Sequence, residues 1–398
     1  VAHAVIVDAV RTASGKGKMG GSLSGLHPVD LLAQTIKGLV DRSGIDPAVI
    51  DDVIAGCVGQ AGEQSFNIAR NAALAAGLPV EVPGTSVDRQ CGSSQQAAHF
   101  AAQGVIAGAY DVVIAGGVES MSRVPMGSHS MGKDPFGPMM HARFAADPLV
   151  PQGISAELIA AQWKFDREDL DSYAARSHQR AAATAAAGGF AREILPLPVT
   201  AADGSQVTFA ADETVRASTT VEGLAGLKPA FQTEEYAQRF PQIGWHITPG
   251  NSSPFTDGAS AVLIMSEQRA KELGLTPRAR FHSFAVTGDD PLMMLTGPIP
   301  ATRKILGRSG LSIDDLDAYE VNEAFASVPL AWQQEFGADP EKLNPRGGAI
   351  ALGHPLGASG TKLLTTMLHH LEDTGGRYGL QTMCEGGGMA NALILERL

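Results

Sequence analysis

Two of the three cysteines in this 398-residue chain stand where a thiol can do chemistry. Cys91 follows Pro83-Gly84-Thr85-Ser86-Val87-Asp88-Arg89-Gln90 and precedes Gly92-Ser93-Ser94, a run that reads as strand, sharp turn and helix start. A thiol at a helix N-terminus meets the positive end of the macrodipole, which favours the nucleophilic thiolate. Gly92 and Ser93 leave room for a substrate and supply backbone N–H donors suited to an oxyanion hole. The competing reading of Cys91 is a buried structural cysteine. Cys384 ends the run Gln381-Thr382-Met383 and is followed by Glu385 and three glycines. Such a triplet lets backbone approach a ligand closely, or simply turns the chain beside an incidental thiol. Cys57 sits among apolar neighbours without a polar partner and is expected in the core.

His354, between Gly353 and Pro355, lies on a rigid turn and is the candidate general base. His99, within an alanine-rich helical run, reads as a satisfied core histidine, and His369 and His370 as surface residues. Asn322 follows a strand-like run and enters Glu323-Ala324-Phe325-Ala326. It either caps a helix or holds a water or carbonyl oxygen in a site. Two thiols, a turn histidine and an asparagine in glycine-rich settings suggest thiol-based acyl transfer. Templates for other chemistries are missing. No Gly-x-Gly-x-x-Gly joins a strand to a helix, Gly360-Thr361-Lys362 is not a P-loop, and neither Cys-x-x-Cys nor His-Glu-x-x-His occurs, so no metal site is expected.

Short apolar runs (Ala4–Val7, Val53–Ala55, Val112–Ala115, Ala261–Met265, Ala390–Leu395) alternate with helical patterns (Asp30–Ser43, Gln95–Ala107, Ala301–Ser309). That alternation predicts an α/β class. The helix after Cys91 is small and apolar on most faces, so it is expected between layers. A repeat supports two related halves. Arg42-Ser43-Gly44-Ile45 recurs as Arg308-Ser309-Gly310-Leu311, an offset of 308 − 42 = 266. At the same offset Ile50-Asp51 falls on Leu316-Asp317, and Cys91-Gly92-Ser93-Ser94 on Gly357-Ala358-Ser359-Gly360. The expected division is 1–120, an insert at 121–249, and 250–398. Within the insert, Ser122–Pro151 reads as a long loop, followed by helices at Ser155–Phe165 and Arg167–Ala187, the second capped by Asp166.

The net charge of −12 argues against a nucleic-acid backbone as partner, since that affinity rests on basic patches. No apolar run reaches the roughly 18–20 residues of a membrane span. Three cysteines make no disulfide framework, and a cytoplasmic setting is expected.

Taken together, these motifs resemble the thiolase family. The resemblance rests on Asn322-Glu323-Ala324-Phe325, Gly353-His354-Pro355 and Cys384-x-Gly386-Gly387-Gly388. Gly116-Gly117-x-Glu119-x-Met121-Ser122, Leu227-Lys228-Pro229-Ala230-Phe231 and Gly250-Asn251-Ser252-Ser253 add to it. It implies a five-layered αβαβα core of two similar halves with an inserted loop domain, and a homodimer or homotetramer. Coenzyme A would be a substrate, with no permanently bound cofactor, and the partner an acyl-CoA. It assigns the nucleophile to Cys91, the base to His354 and the second acid/base to Cys384. One oxyanion would face His354 and a water held by Asn322; the other would face the N–H groups of Cys91 and Gly386. Arg216 matches a nucleotide contact, and Ser253, Ala324 and Phe325 match the pantetheine tunnel.

The chain departs from the family pattern at several places. Ser94 stands where many members have glycine, and Gly223 replaces a serine that contacts CoA in some. Glu385 is charged where an apolar residue is frequent; it is expected to be solvated, though pointing inward it would raise the thiol's pKa. Pro151-Gln152 replaces the His-Met of short-chain biosynthetic members, which favours a substrate other than acetoacetyl-CoA. The expected activity is degradative cleavage of 3-oxoacyl-CoA. Biosynthetic acetoacetyl-CoA thiolase is the alternative. A ketoacyl-synthase-like condensing enzyme is disfavoured by Asn322 in place of a second histidine, and a non-enzymatic acyl-CoA binder by the retained reactive residues.

Overall fold

The computed structural model describes residues 3–398. Among them, one hydrogen-bonded path of nine strands forms the frame, with two short strands attached to it. In chain order the nine are β1 (Ala4–Thr12), β2 (Asp52–Gly56), β3 (Gly84–Val87), β4 (Val112–Ser120), β5 (Thr256–Ser266), β6 (Ala279–Gly288), β7 (Ala318–Val321), β8 (Tyr378–Glu385) and β9 (Met389–Arg397). Their spatial order is β7-β8-β9-β6-β1-β5-β4-β2-β3. The path divides where β1 meets β6 through only two pairs, Val5↔Arg280 and Ile6↔Ala279.

On each side of that seam the same pattern appears. One half runs β1-β5-β4-β2 and the other β6-β9-β8-β7. In both, the first two contacts are antiparallel and the third is parallel. The repeated sequence marks hold matching places. Gly44 ends α1 (Pro28–Ser43) at φ 68°, and Gly310 ends α6 (Pro298–Ser309) at φ 72°. Both are in the left-handed region where only glycine avoids a Cβ penalty. Asp51 accepts from the N–H groups of Asp111 and Val112 at the start of β4. Asp317 accepts from Arg377 and Tyr378 at the start of β8. One strand sits differently from the expected division at residue 250: β5 lies in the first half's sheet, between β1 and β4.

Side-chain alternation along these strands builds the layers. Val5, Val7 and Val10 of β1 join α1 and α2 (Ile68–Ala75) on one face. Ala4, Ile6 and Ala9 face the opposite way and meet α3 (Ser93–Ile106) and α8 (Ser359–Thr374). Those two helices also touch Phe281, Ala318, Leu393 and Leu395 of the second half. The other face of that sheet, with Ala390, Ala392 and Ile394, packs on α6 and α7 (Ser327–Phe336). The succession is therefore helices, sheet, paired central helices, sheet, helices: the five layers expected. α3 and α8 approach so closely that a Cβ on Gly360 would lie 2.1 Å from the backbone nitrogen of Gln95.

The insert supplies α4 (Gln152–Trp163) and α5 (Arg167–Ala186). α4 begins three residues before the expected start, at the Pro151-Gln152 step, because Pro151 sits at its N-cap. Asp166 caps α5 as expected and forms a capping box with Asp169. The stretch 122–151 is not all loop: it carries a short helix at Gly137–Arg143. Met126, Met131, Phe136 and Met139 of this stretch are exposed. No helix among the described residues is long and apolar enough to cross a membrane.

Candidate active site

The Cys91 turn is built from its own sequence. Gln90 takes the left-handed φ of 48°, unusual for a residue with a Cβ. The Ser93 hydroxyl clips the turn, accepting from Arg89 N and donating to Gln90 O. Cys91 is thereby placed at the mouth of α3, with Gly92 as N-cap and no side chain capping the helix. The sulfur's surroundings correct one expectation. Cys91 is buried, and burial together with the Glu385 carboxyl pushes its pKa up to about 12, while the N–H groups of Cys91 and Gly386 oppose this. At rest Cys91 is a thiol. Helix position alone does not ionise it, because desolvation of the thiolate outweighs the dipole.

Cys384 is the next-to-last residue of β8 and fully buried. Its pKa is held well above the ordinary thiol value, first by burial and then by the charge of Cys91. The two sulfurs, 293 positions apart (384 − 91), thus lie within each other's field. Gly386 brings its N–H to the Cys91 side.

His354 sits on its expected turn, buried, with its N–H donating to Thr256 Oγ1 at 3.0 Å. The hydrogen bonds fix its tautomer. Ser359 Oγ donates its single proton to Pro355 O at 2.9 Å. It must therefore accept from Nδ1–H of His354, at 2.5 Å. Nε2 keeps its lone pair, and Asn322 Nδ2 approaches it at 3.4 Å. Burial, with Lys362 behind, lowers the imidazole's pKa to about 3. The ring is neutral, with its basic nitrogen on the Asn322 side.

Asn322 is not a helix cap. The following helix, α7, starts five residues later at Ser327, with Ala326 at its N-cap. Asn322 is buried against His354, and its Oδ1 has no protein partner. Its N–H donates to Thr382 O at 3.2 Å, two residues before Cys384. Among the described residues, no hydrogen bond joins Cys91 directly to His354 or Asn322.

The expected tunnel residues also meet. Ser253 donates through N and Oγ to Ala324 O at 3.0 and 3.2 Å, and Ala326 N donates to Asn251 O. Phe325 packs edge-on against Phe231, with ring centroids 6.0 Å apart. Cys384, Phe325 and Ile350 share one apolar cluster with Ala156 of α4. Arg216 stands exposed at a cavity of about 310 Å³ whose wall includes Lys16, Lys18, Leu224 and Ser252. Three cations around one concavity suit an anionic, phosphate-bearing ligand. No group of three or more His, Cys, Asp or Glu suited to a metal occurs among the described residues.

Several sequence expectations fail here for a common reason, the two-half packing. Glu385 is fully buried, not solvated, because β8 and α3 close over it. Cys57 lies in the core as expected, but it has a polar neighbour within its own half, Glu119 Oε1, 3.9 Å from its sulfur. His369 is buried beside Arg278 and Glu193. His99 is in the core but not satisfied, since neither ring nitrogen has a partner. Ser359, which holds His354, was visible only as the repeat partner of Ser93. Glu119, part of a landmark motif, anchors the turn after His354: it accepts from Val58, Gly59 and Gly357 N–H groups.

Two family descriptions match nearly the whole chain: "Thiolase, N-terminal domain" over residues 4–268 and "Thiolase, C-terminal domain" over 275–397. The chain belongs to the thiolase family. This thiolase is 51% identical to the "Steroid 3-ketoacyl-CoA thiolase FadA6" of Mycobacterium tuberculosis, covering 100% of this chain and 94% of that one. It is 48% identical to a 3-ketoacyl-CoA thiolase of Pseudoalteromonas translucida, over 99% and 98%. The crystal structure of the Bacillus anthracis acetyl-CoA acetyltransferase superposes with a TM-score of 0.88 at 38% identity, over 100% and 99%. As a thiolase, the protein is an acyltransferase.

Proposed function

We propose that this thiolase works in the degradative direction, cleaving a 3-oxoacyl-CoA with CoA to acetyl-CoA and a shortened acyl-CoA. The direction is supported above all by the relatives named 3-ketoacyl-CoA thiolase at 48–51% identity over nearly the whole chain, and the thiol chemistry by Cys91 and Cys384 lying within each other's field with the Gly386 N–H on the Cys91 side.

In this mechanism His354 Nε2 takes the Cys91 proton, and the sulfur attacks the 3-oxo carbon. The resulting oxyanion is met by the N–H groups of Cys91 and Gly386. Its collapse breaks the C2–C3 bond, leaves an acyl thioester on Cys91 and releases acetyl-CoA as its enolate. Cys384 gives its proton to C2 of that enolate. The enolate's oxygen faces the protonated Nε2 of His354 and a water held by Asn322, whose unpartnered Oδ1 accepts from that water. Cys384, now a thiolate, deprotonates incoming CoA, whose sulfur takes the acyl group from Cys91. The proton then returns from the imidazolium to Cys91, and the cycle closes. Losing one oxyanion donor typically costs about 3–4 kcal/mol of transition-state stabilisation.

In the same reading CoA comes and goes as a substrate, its phosphates near Arg216 and its pantetheine arm along Ser253, Ala324 and Phe325. Residues 121–249 act as the substrate domain between the two halves. A cytoplasmic setting suits three free thiols, and a homodimer or homotetramer suits the open edge of β3. Pro151-Gln152 at the start of α4 favours a substrate other than acetoacetyl-CoA. Thiolysis rates with acetoacetyl-CoA and a long 3-oxoacyl-CoA test the direction and substrate. The long substrate is expected to have the higher kcat/KM. Turnover of the C4 substrate alone would point to the biosynthetic thiolase instead.

A further inference from the structure

Glu385 is buried, and neither carboxyl oxygen has a hydrogen-bond partner. A Cβ on Gly92 would lie 2.0 Å from Glu385 Oε1 and 2.8 Å from Asn391 Oδ1, so both oxygens press on the residue after Cys91. The Asn391 amide is fixed in orientation. Its Nδ2 donates to Gly92 O at 3.0 Å, and turning it over would set oxygen against oxygen. Asn391 Oδ1 is therefore an acceptor, and it too is buried without a partner. Acceptors crowded at one buried point are costly, and a single proton on the carboxyl supplies the donor both need.

The charged and titratable groups around the carboxyl are few. Asp88 and Arg89 come from the turn before α3, Cys91 from its mouth, and Cys384 precedes Glu385 on β8. Arg89 leaves its own Nε buried and unpartnered and forms no ion pair with Glu385. Burial pushes the carboxyl's pKa up to about 8, although Arg89 and the backbone N–H of Asn391 both favour the ionised form.

We propose that Glu385 is a positioning residue that acts as a neutral carboxylic acid, donating to Asn391 Oδ1. Asn391 in turn holds Gly92 O, so the pair fixes the Cys91–Gly92 turn and keeps negative charge away from the sulfur while it ionises. When Glu385 loses its proton, the Asn391 contact fails and a carboxylate opposes the Cys91 thiolate. The link to turnover rests on the proposed thiolase mechanism; the effect on the sulfur does not.

The test compares wild type, Glu385→Gln and Glu385→Ala. Glutamine keeps a donor for Asn391 but cannot ionise. Iodoacetamide alkylation of Cys91, located by peptide mass, reads the sulfur without any thiolase turnover. The ratio of the Glu385→Gln rate to the wild-type rate is expected to be flat in mild acid and to rise about tenfold as pH passes through 8. A flat ratio throughout would overturn the proposal. In thiolysis below pH 8, Glu385→Ala is expected to lose about tenfold in kcat with KM held, and glutamine to restore most of it; above pH 8, where the wild-type carboxyl is itself ionised, the alanine deficit is expected to shrink. Equal losses in both variants would remove the donor role. Infrared titration of the wild type is independent of both variants' folding: a carboxylic-acid band lost near pH 8 supports the proposal, and its absence overturns it. If alkylation behaves as expected but even the wild type cleaves no 3-oxoacyl-CoA, the proposed function fails and the Glu385 assignment stands.

Discussion

His354 shows how much of this site depends on one hydroxyl. Ser359 spends its proton on Pro355 O, so it can only accept from Nδ1, and the ring presents Nε2 as a base. Ser359→Ala frees the ring to adopt the other tautomer. The expected result is a fall in kcat of about tenfold or more with KM nearly unchanged, and recovery in Ser359→Thr. Steady-state kinetics on both variants checks it. His99 makes a different point. Buried edge-on to Phe284 with both nitrogens unpartnered, it has its pKa lowered to about 3 by burial and by Arg89. A folded pKa below the unfolded value of about 6.5 means that the unfolded chain binds the extra proton. His99 therefore costs stability progressively as pH falls below that value. His99→Leu is expected to gain about 2 kcal/mol on wild type between about pH 7 and 5. Denaturant midpoints at the two pH values measure it; a constant difference would mean that His99 is protonated or paired in the fold.

At the scale of elements, the site depends on two helices whose N-termini meet. α3 carries Cys91 at its mouth, and α8 begins at Ser359. Ser94 joins them, its Oγ accepting from Thr361 N at 2.9 Å. This gives the unusual serine a role in the first turn of the neighbouring helix. The crossing leaves no room at Gly360. Gly360→Val drives a side chain into the Gln95 backbone and is expected to cost about 3 kcal/mol. Gly307→Ala, on the exposed face of α6 with open space around it, is the control, expected to gain a few tenths to about 1 kcal/mol. Thermal unfolding of the two variants separates packing at the crossing from general intolerance of substituted glycines.

On the scale of the molecule, two copies of one strand order share a double-helix layer, and the reactive groups collect where the copies meet. Much of this was legible in the sequence. Arg-Ser-Gly recurs because each helix must end in a left-handed glycine, and Asp51 and Asp317 recur because each caps the N–H groups at the start of the neighbouring parallel strand. The turns that carry Cys91 and His354 were legible as turns because glycine and proline fix local backbone. What escaped was tertiary. Asn322 has a capping residue's chemistry, yet its neighbour in space is His354. Glutamate at 385 reads in sequence as a solvated side chain, and only the closure of β8 on α3 buries it. β5 follows the insert in sequence but completes the first half's sheet.

The central claim is that Cys91 carries the acyl group while Cys384 handles the proton. Incubating the protein with a 3-oxoacyl-CoA in the absence of free CoA, quenching in acid and measuring intact and peptide masses tests it most directly. The expected result is one acyl group, two carbons shorter than the substrate's, attached to Cys91 in stoichiometric amount and lost on addition of CoA. An acyl group on Cys384, or full turnover with Cys91 replaced by alanine, would contradict it.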